Sequence, residues 1–216
     1  MPVVLLEGFH AVKHAWRFAP DLVLEIQVAD RARAAALAQA LAPDLAAALA
    51  GAVIAEVGHH TGVQALARRP AAEEAVLLRR ATPLVVLDRP RHPGNVGAVI
   101  RVAAAAGAAG VAVTGDLDPW GPAVLRGAAG LHYALPVLAL ADQPVEGPVV
   151  VLDAAGDPGA ALPPYAVLVV GSERSGVGAR WRERADLVLA LPMRPGVSSL
   201  NLATAVAAVL YRSRAS

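Results

Sequence analysis

Residues 83–115 read "PLVVLDRPRHPGNVGAVIRVAAAAGAAGVAVTG". The first six, "PLVVLD", form an apolar run too short for a helix and free of polar alternation, the pattern of a strand buried on both faces. After a Pro/Arg loop, "NVGAVIRVAAAAGAAG" (95–110) is long and alanine-rich enough for a helix, with glycines where it should stop. "VAVTG" (111–115) is then a second strand. Strand, covering helix and strand make a βαβ unit, and the pattern continues down the chain. Strands are expected at "LPVLAL" (135–140), "VVVLD" (149–153), "YAVLVVG" (165–171) and "LVLAL" (187–191), with helices near 122–129, at "GARWRERA" (178–185) and over 201–212. The expected fold class is therefore α/β, a parallel sheet with helices on both faces. In such sheets ligands sit at the carboxyl ends of the strands.

Upstream, residues 1–70 mix short apolar runs ("LVLEIQVA", "AVIAEVG") with helical stretches such as "RARAAALAQALAP", which suggests a small α/β unit. Residues 68–83, "RRPAAEEAVLLRRATP", are charged at both ends and bounded by Pro70 and Pro83, a linker pattern. The expected domains are 1–70, a linker over 71–82, and 83–216.

Composition narrows the chemistry. The chain has 216 residues, 56% of them hydrophobic, enough to bury a sizeable core. Its longest alanine-rich stretch, 34–58, is interrupted by Gln39, Pro43 and Asp44, so no membrane span is expected. The N-terminus "MPVVLLEGFH" lacks a basic region and meets Glu7 early, so no secretory signal is read and a cytoplasmic location is expected. Zero cysteines exclude disulfides, thiolate metal sites and cysteine nucleophiles, and no metal site is expected. A net charge of +1, with Lys13 the only lysine, gives no global basic field, so any nucleic-acid binding must be local.

Three strand-end loops carry the unusual polar residues of the second half. In "DRPRHPGNVGAVIR", Asn95 and Gly97 open a helix and Arg101 follows just under two turns along it. Asn95 has a purely structural reading as an N-cap, whereas Arg101, set among "AVI" and "VAAAA", needs a snorkelling path or a partner. In "VVGSERSGVG", Gly171 and Gly176 flank Glu173; the glycines serve either close approach to a ligand or turn geometry, and Glu173 either a site or the first turn of a helix. In "LPMRPGVSSLNLATAVAAVLY" (191–211), Ser198 reads as a turn residue and Ser199 as an N-cap. Each residue has a structural account alone. The set has not, because three strand ends deliver an amide, a guanidinium, a carboxylate and hydroxyls to one edge of one sheet.

These three stretches resemble the three motifs of the SpoU/TrmH branch of the SPOUT RNA methyltransferases. "NVGAVIRVAAAAG" is similar to the first, an Asn-x-Gly-x-x-x-Arg helix followed by glycine; "VLVVGSERSGV" to the second; and "LPMRPGVSSLNLATAVAAVLY" to the third, with Pro-Met and Ser-Leu-Asn before an apolar helix. The N-terminal "LEGFHAVKHAWRF" resembles the opening of the family's accessory domain, a small ribosomal-protein-like RNA-binding module, and on spacing alone is equally an ordinary amphipathic helix.

The resemblance implies a C-terminal trefoil knot that binds S-adenosylmethionine, a homodimer with sites near the subunit interface, and RNA as the substrate, rRNA rather than tRNA. Carried over by motif, the cofactor contacts are Gly171, Leu191 and Leu200, and the catalytic set is Arg101, Asn95, Glu173, Ser199 and Asn201. The implied reaction is methyl transfer to a ribose 2′-hydroxyl. An unperturbed arginine stays protonated, so a charged Arg101 that binds phosphate or stabilises the developing alkoxide fits better than a base. Asn95, Ser199 and Asn201 would position ribose and backbone, and Glu173 would orient the network.

One position departs from the family: Pro195 stands where glycine is usual, with Gly196 next. Proline fixes φ and removes an N–H, so a reshaped cofactor loop is expected there. Two other functions stay open: an RNA-binding scaffold that has lost turnover, and a dinucleotide-dependent α/β enzyme. Against the latter, the chain has no Gly-x-Gly-x-x-Gly after its first second-domain strand and no Gly-Lys-Ser/Thr phosphate loop.

Overall fold

The computed structural model describes residues 1–71, 73–141, 143–172, 175–197 and 199–214. Two compact units are present: Met1–Ala71 with Ala128–Ala134, and Ala72–Gly127 with Leu135–Ser216.

The first unit contains β1 (Val3–Glu7), α1 (Phe9–Phe18), β2 (Val23–Val28), α2 (Arg31–Leu41), α3 (Ala46–Ala50), β3 (Val53–Ile54) and β4 (Val63–Arg68). The strand order is β1-β4-β2-β3; β1 and β2 run antiparallel to β4, and β3 parallel to β2. On β4, Val63, Ala65 and Ala67 are buried while Gln64, Leu66 and Arg68 face outward to differing degrees, so one face of the sheet packs and the other stays open. Helix α1 turns Phe9, Ala11, Val12 and Ala15 onto the packed face. Residues 128–134 join this unit through two side chains of the first 71 residues or their carbonyls: His14 Nδ1–H donates to the Ala129 carbonyl at 2.7 Å, and the Tyr133 hydroxyl donates to the Arg68 carbonyl at 3.1 Å. The edge strand β1 and the strand β4 have no counterpart in the sequence expectation: β1 is a short continuous run, VVLLE, without alternation, and in β4, VQALAR, small and polar residues blur it.

The second unit contains α4 (Ala75–Leu78), β5 (Leu84–Asp88), α5 (Pro93–Ala106), β6 (Gly110–Val113), α6 (Pro122–Ala128), β7 (Val137–Ala139), β8 (Val149–Asp157), β9 (Val167–Gly171), α7 (Ala179–Arg182), β10 (Leu187–Leu189) and α8 (Leu202–Arg214). Its six strands are all parallel, in the order β10-β8-β9-β5-β6-β7. Every residue of β5 and β6 is buried, which is what the continuous apolar runs require. On one face Leu84, Val86, Val151, Val167 and Val169 pack with Leu77 and Trp181. Burying a side chain of this size is worth roughly 1.5–3 kcal/mol. Strand β8 runs past "VVVLD" to Asp157, and β10 pairs with its start before the register jumps to Asp157 at Leu189. Among the described residues no helix is long and apolar enough to cross a membrane.

Two helix beginnings correct the expected caps. Helix α5 starts at Pro93, with His92 in extended conformation at the N-cap, so Asn95 stands inside the first turn rather than capping it. Proline at N1 explains the shift, since its fixed φ starts a helix and it lacks the N–H that would otherwise be orphaned. At the far end Gly107 adopts a left-handed φ of 68°, the usual glycine stop. Helix α8 is capped by Asn201, not Ser199: Asn201 Oδ1 accepts from the N–H groups of Ala203 at 3.0 Å and Thr204 at 3.4 Å.

Candidate active site

The carboxyl edge of the parallel sheet opens into a cavity of about 460 Å³. Its walls come from three places in sequence: Leu152–Ala154 on β8, Val170–Ser172 at the end of β9, and the segment from Leu191 to Ala205 that enters α8. Gly171, Leu191, Leu200, Ser199 and Asn201 all line it. The lining is mostly aliphatic with a few polar side chains, Asp153, Ser172, Ser199 and Asn201, the composition of a pocket that grips a partly apolar ligand. Leu200, 43% exposed, offers the cavity an apolar side chain.

Gly171 is needed there for a reason of its own. A Cβ at this position would lie 2.0 Å from the Gly176 carbonyl carbon, because the chain after β9 doubles back at once. Ser172 and Gly176 form an isolated bridge, Gly176 N–H donates to Ser172 O at 3.0 Å, and Gly176 takes a φ of 62°. The glycines thus serve the turn: it is built by close backbone approach, and it forms a wall of the cavity. Glu173, expected between them, lies outside the described residues, as does Ser198.

Asn95 does not line the cavity; it is joined to it. Asn201 Nδ2 donates to Asn95 Oδ1 at 3.4 Å, so the amide that caps α8 also holds the first turn of α5. Helix α5 packs on α8. Arg101 stands apart from this pair. The buried stripe of α5 is Val96, Gly97, Val99, Ile100, Ala103 and Ala106, and Arg101 falls on the exposed side of the helix. It needs neither the snorkelling path nor the partner that its apolar neighbours suggested; those neighbours pack on the other side. Gly97 serves close packing, since a Cβ on Gly127 would approach its Cα to 3.3 Å.

Pro195 has a local explanation. Val197 N–H donates to Arg194 O at 3.0 Å across Pro195 and Gly196, and Gly196 has a φ of 89°. That is the Pro-Gly pattern of a type II turn, which asks for no N–H at the proline and a positive φ after it. Neither residue lines the cavity, whereas Leu191 and Met193 just before the turn do.

Asp153 also lines the cavity and was absent from the expected set. Its Oδ1 accepts from Ala155 N–H at 3.0 Å and its Oδ2 from Arg182 Nη2 at 2.7 Å. The backbone N–H first, then the guanidinium, hold its carboxyl below the usual carboxylate range. The carboxylate that ends the run "VVVLD" was the available signal, and it was read only as a strand end. Among the described residues no three His, Cys, Asp or Glu side chains are grouped to hold a metal ion.

Residues 82–211 match the family model of the SpoU rRNA methylases. A 23S rRNA (guanosine(2553)-2′-O)-methyltransferase of Bacillus subtilis (strain 168) is 31% identical over 225 residues, covering 97% of this chain and 88% of that protein. A 23S rRNA (uridine(2479)-2′-O)-methyltransferase of Streptomyces viridochromogenes is 32% identical over 151 residues, 60% of this chain, and the match spans about half (51%) of that relative's length. Among solved structures, the SpoU methyltransferase AviRb from Streptomyces viridochromogenes superposes with a TM-score of 0.76 at 25% identity, covering 98% of this chain and 88% of that one. The family model spans residues 82–211, more than half of the chain, and the Bacillus subtilis relative matches nearly all of it: the chain belongs to the SpoU rRNA methylase family.

Proposed function

We propose that the chain is an S-adenosylmethionine-dependent methyltransferase acting on a ribose 2′-hydroxyl of RNA, with rRNA as the substrate class. The observation that carries this reading is one cavity at the sheet edge that residues of the second and third motif segments, Gly171, Leu191, Ser199, Leu200 and Asn201, line together. The names of the 23S rRNA relatives favour rRNA over tRNA. The cavity suits the cofactor: its volume is that of a small-molecule site, its walls are mostly aliphatic with a few polar side chains, and a relative of the same fold has been crystallised with AdoMet.

When bound, the cofactor supplies a sulfonium methyl for transfer to the ribose 2′-oxygen, whose proton passes to solvent. Gly171, Leu191 and Leu200 would hold it, and Asp153, kept ionised by its donors, faces the same space. Ser199 and Asn201 offer a hydroxyl and an amide to align the ribose, which matters because holding the reactants in line is most of what such a reaction needs. Asn95 keeps Asn201 in place through the shared amide contact. Arg101, charged and exposed, would bind phosphate or stabilise the developing alkoxide. Glu173 would orient the polar set.

The reading includes three further elements. The segment from β9 to α8 would form the family's trefoil knot, which the interleaved strand order β10-β8-β9 supports. The enzyme would be a homodimer; Arg101, outside the cavity of its own chain, fits a site completed near a subunit interface. The first unit would be a ribosomal-protein-like RNA-binding module of a cytoplasmic enzyme.

Arg101→Ala should lower methyl incorporation into unmodified rRNA by at least ~100-fold while calorimetry finds S-adenosylmethionine affinity unchanged. Full activity in that variant would refute its role. RNA binding without cofactor binding would favour a scaffold, and binding of NAD instead would sink the RNA reading. Mapping 2′-O-methyl positions in RNA from cells with and without the protein identifies the target.

A further inference from the structure

A second cavity, about 360 Å³, opens on the same edge of the sheet, at the carboxyl ends of β5, β6 and β7 and the start of α7. Arg89, Thr114, Arg180 and Trp181 line it over a floor that includes Asp88. Arg89 is held in an unusual way. Its φ is 50°, in the left-handed region where glycine is the unstrained residue. Its N–H donates to Thr114 Oγ1 at 3.0 Å. Two glycines make room for its side chain: a Cβ on Gly115 would lie 3.2 Å from Arg89 Cγ, and one on Gly178 would lie 2.6 Å from Arg89 Nη2.

Asp88 completes the clamp. Only 5% exposed, it accepts from the Thr114 hydroxyl at 2.9 Å and from Gly178 N–H at 2.7 Å, and at longer range, 3.4 Å, from Arg89 Nη2. The two short bonds come from neutral donors, and Arg89 pairs with the carboxylate through Nη2, so the ion pair engages only one nitrogen of the guanidinium. The Arg89 side chain remains 55% exposed at the cavity mouth, and among the described residues its Nε and Nη1 make no hydrogen bond. A left-handed backbone, two glycines and a buried carboxylate therefore converge on fixing one guanidinium with most of its donors facing outward. Strain of this kind persists where the surroundings enforce it, and it gathers at binding sites.

The geometry points to Arg89 as an anion-recognition residue whose cavity seats a phosphodiester of the RNA substrate, beside the nucleotide whose ribose is methylated. This rests on the reading of the chain as an RNA methyltransferase. Asp88 and Gly171 are register partners on the adjacent strands β5 and β9, so the two cavities begin on neighbouring strands, spaced about 5 Å apart. An RNA chain crossing that edge can occupy both. A pre-oriented arginine fork matches two phosphate oxygens, and Arg180 adds a second positive side chain to the same wall.

Arg89→Gly is the informative variant, because glycine suits the left-handed backbone and removes the side chain with its guanidinium. Filter binding with an unmodified 23S rRNA transcript over a salt series should show a Kd raised about tenfold and a log–log salt slope smaller by about one. Calorimetric affinity for S-adenosylmethionine should be unchanged and the melting temperature no lower than that of the wild type. If Arg89→Gly does not fold, Arg89→Gln, which keeps the stem without the charge, is read in the same way. RNA affinity and salt slope equal to wild type in a folded variant overturn the assignment and leave the methyltransferase reading standing. A wild-type protein that binds no RNA overturns both.

Discussion

In the six-stranded sheet β5 and β6 are buried along their whole length, whereas in the four-stranded sheet every second residue of β4 turns away from the core. The difference is one of hydrophobic coverage. A parallel sheet enclosed on both faces cannot place polar side chains along its covered strands, so they are driven to the carboxyl ends, where Asp88 and Ser172 stand, and Asp153 lies on β8 just past its last pairing with β9. The half-open sheet disperses its polar groups instead: Gln64 Nε2 donates to Gln27 Oε1 at 2.7 Å across its outer face. Concentration of polar groups at one edge is what makes the second unit suited to hold a small-molecule site, and dispersal suits the first to a broad contact surface.

Paired substitutions probe that contrast. Leu84→Ala, at a fully buried position of β5, should cost about 3 kcal/mol, while Leu5→Ala on the open face of β1, where leucine is 42% exposed, should change stability by less than ~0.5 kcal/mol. Chemical denaturation checks both, and equal costs would show that the two sheets are covered alike. A smaller effect separates two helix caps. Asn201→Ala removes an acceptor for two N–H groups and should cost about 1 kcal/mol together with most of the methyl-transfer activity. Asp30→Ala, which caps α2 through the Arg33 N–H at 3.0 Å, should cost up to about 1 kcal/mol and leave cofactor affinity untouched. Similar losses of methyl-transfer activity in both would break the assignment of Asn201 to the site.

The smallest effect is a pH dependence seated in the first unit. Burial, ahead of the opposing pull of its Ala129 contact and the repulsion from Lys13, holds the His14 pKa below its ordinary value. The unfolded chain therefore takes up a proton before the folded one does, and the contribution is intact above the unfolded value near ~6.5 and lost as pH falls through the folded one. A shallow decline in melting temperature is expected from pH 7 downward through that window, flattened in His14→Gln, whose amide can still donate to the Ala129 carbonyl. An identical decline in the variant would remove His14 from the account.

The enclosed sheet was the legible part of the chain, since runs such as "LVVL" admit few other readings. The family resemblance, rather than periodicity, grouped Gly171, Leu191, Ser199, Leu200 and Asn201, and these residues line one cavity although 171 and 201 lie thirty positions apart. Individual caps were not legible. Pro93 moved the start of α5 ahead of Asn95, and the competition between Ser199 and Asn201 was decided by which side chain could reach two N–H groups. Arg101 misled for a different reason, because a sequence lists neighbours along the chain while a helix sorts them by face. Asp153 and the Arg89 clamp depend on contacts between distant strands, Asp88 with Gly178 above all, and no local pattern announces those.

The strand order has a consequence for how the second unit comes into being. Strand β5, in the interior of the sheet, is flanked by β6 on one side and on the other by β9, whose residues follow some eighty positions later. During synthesis β5 can find β6 early, but its other edge has no native partner until Val167–Gly171 emerges from the ribosome. Sheet closure is thus postponed until residues 167–171 have been made, and a pairing of such high sequence separation forms slowly. A pause or truncation before residue 167 would leave a strand buried along its whole length in the native sheet with a bare edge, the condition under which a nascent chain most needs a chaperone.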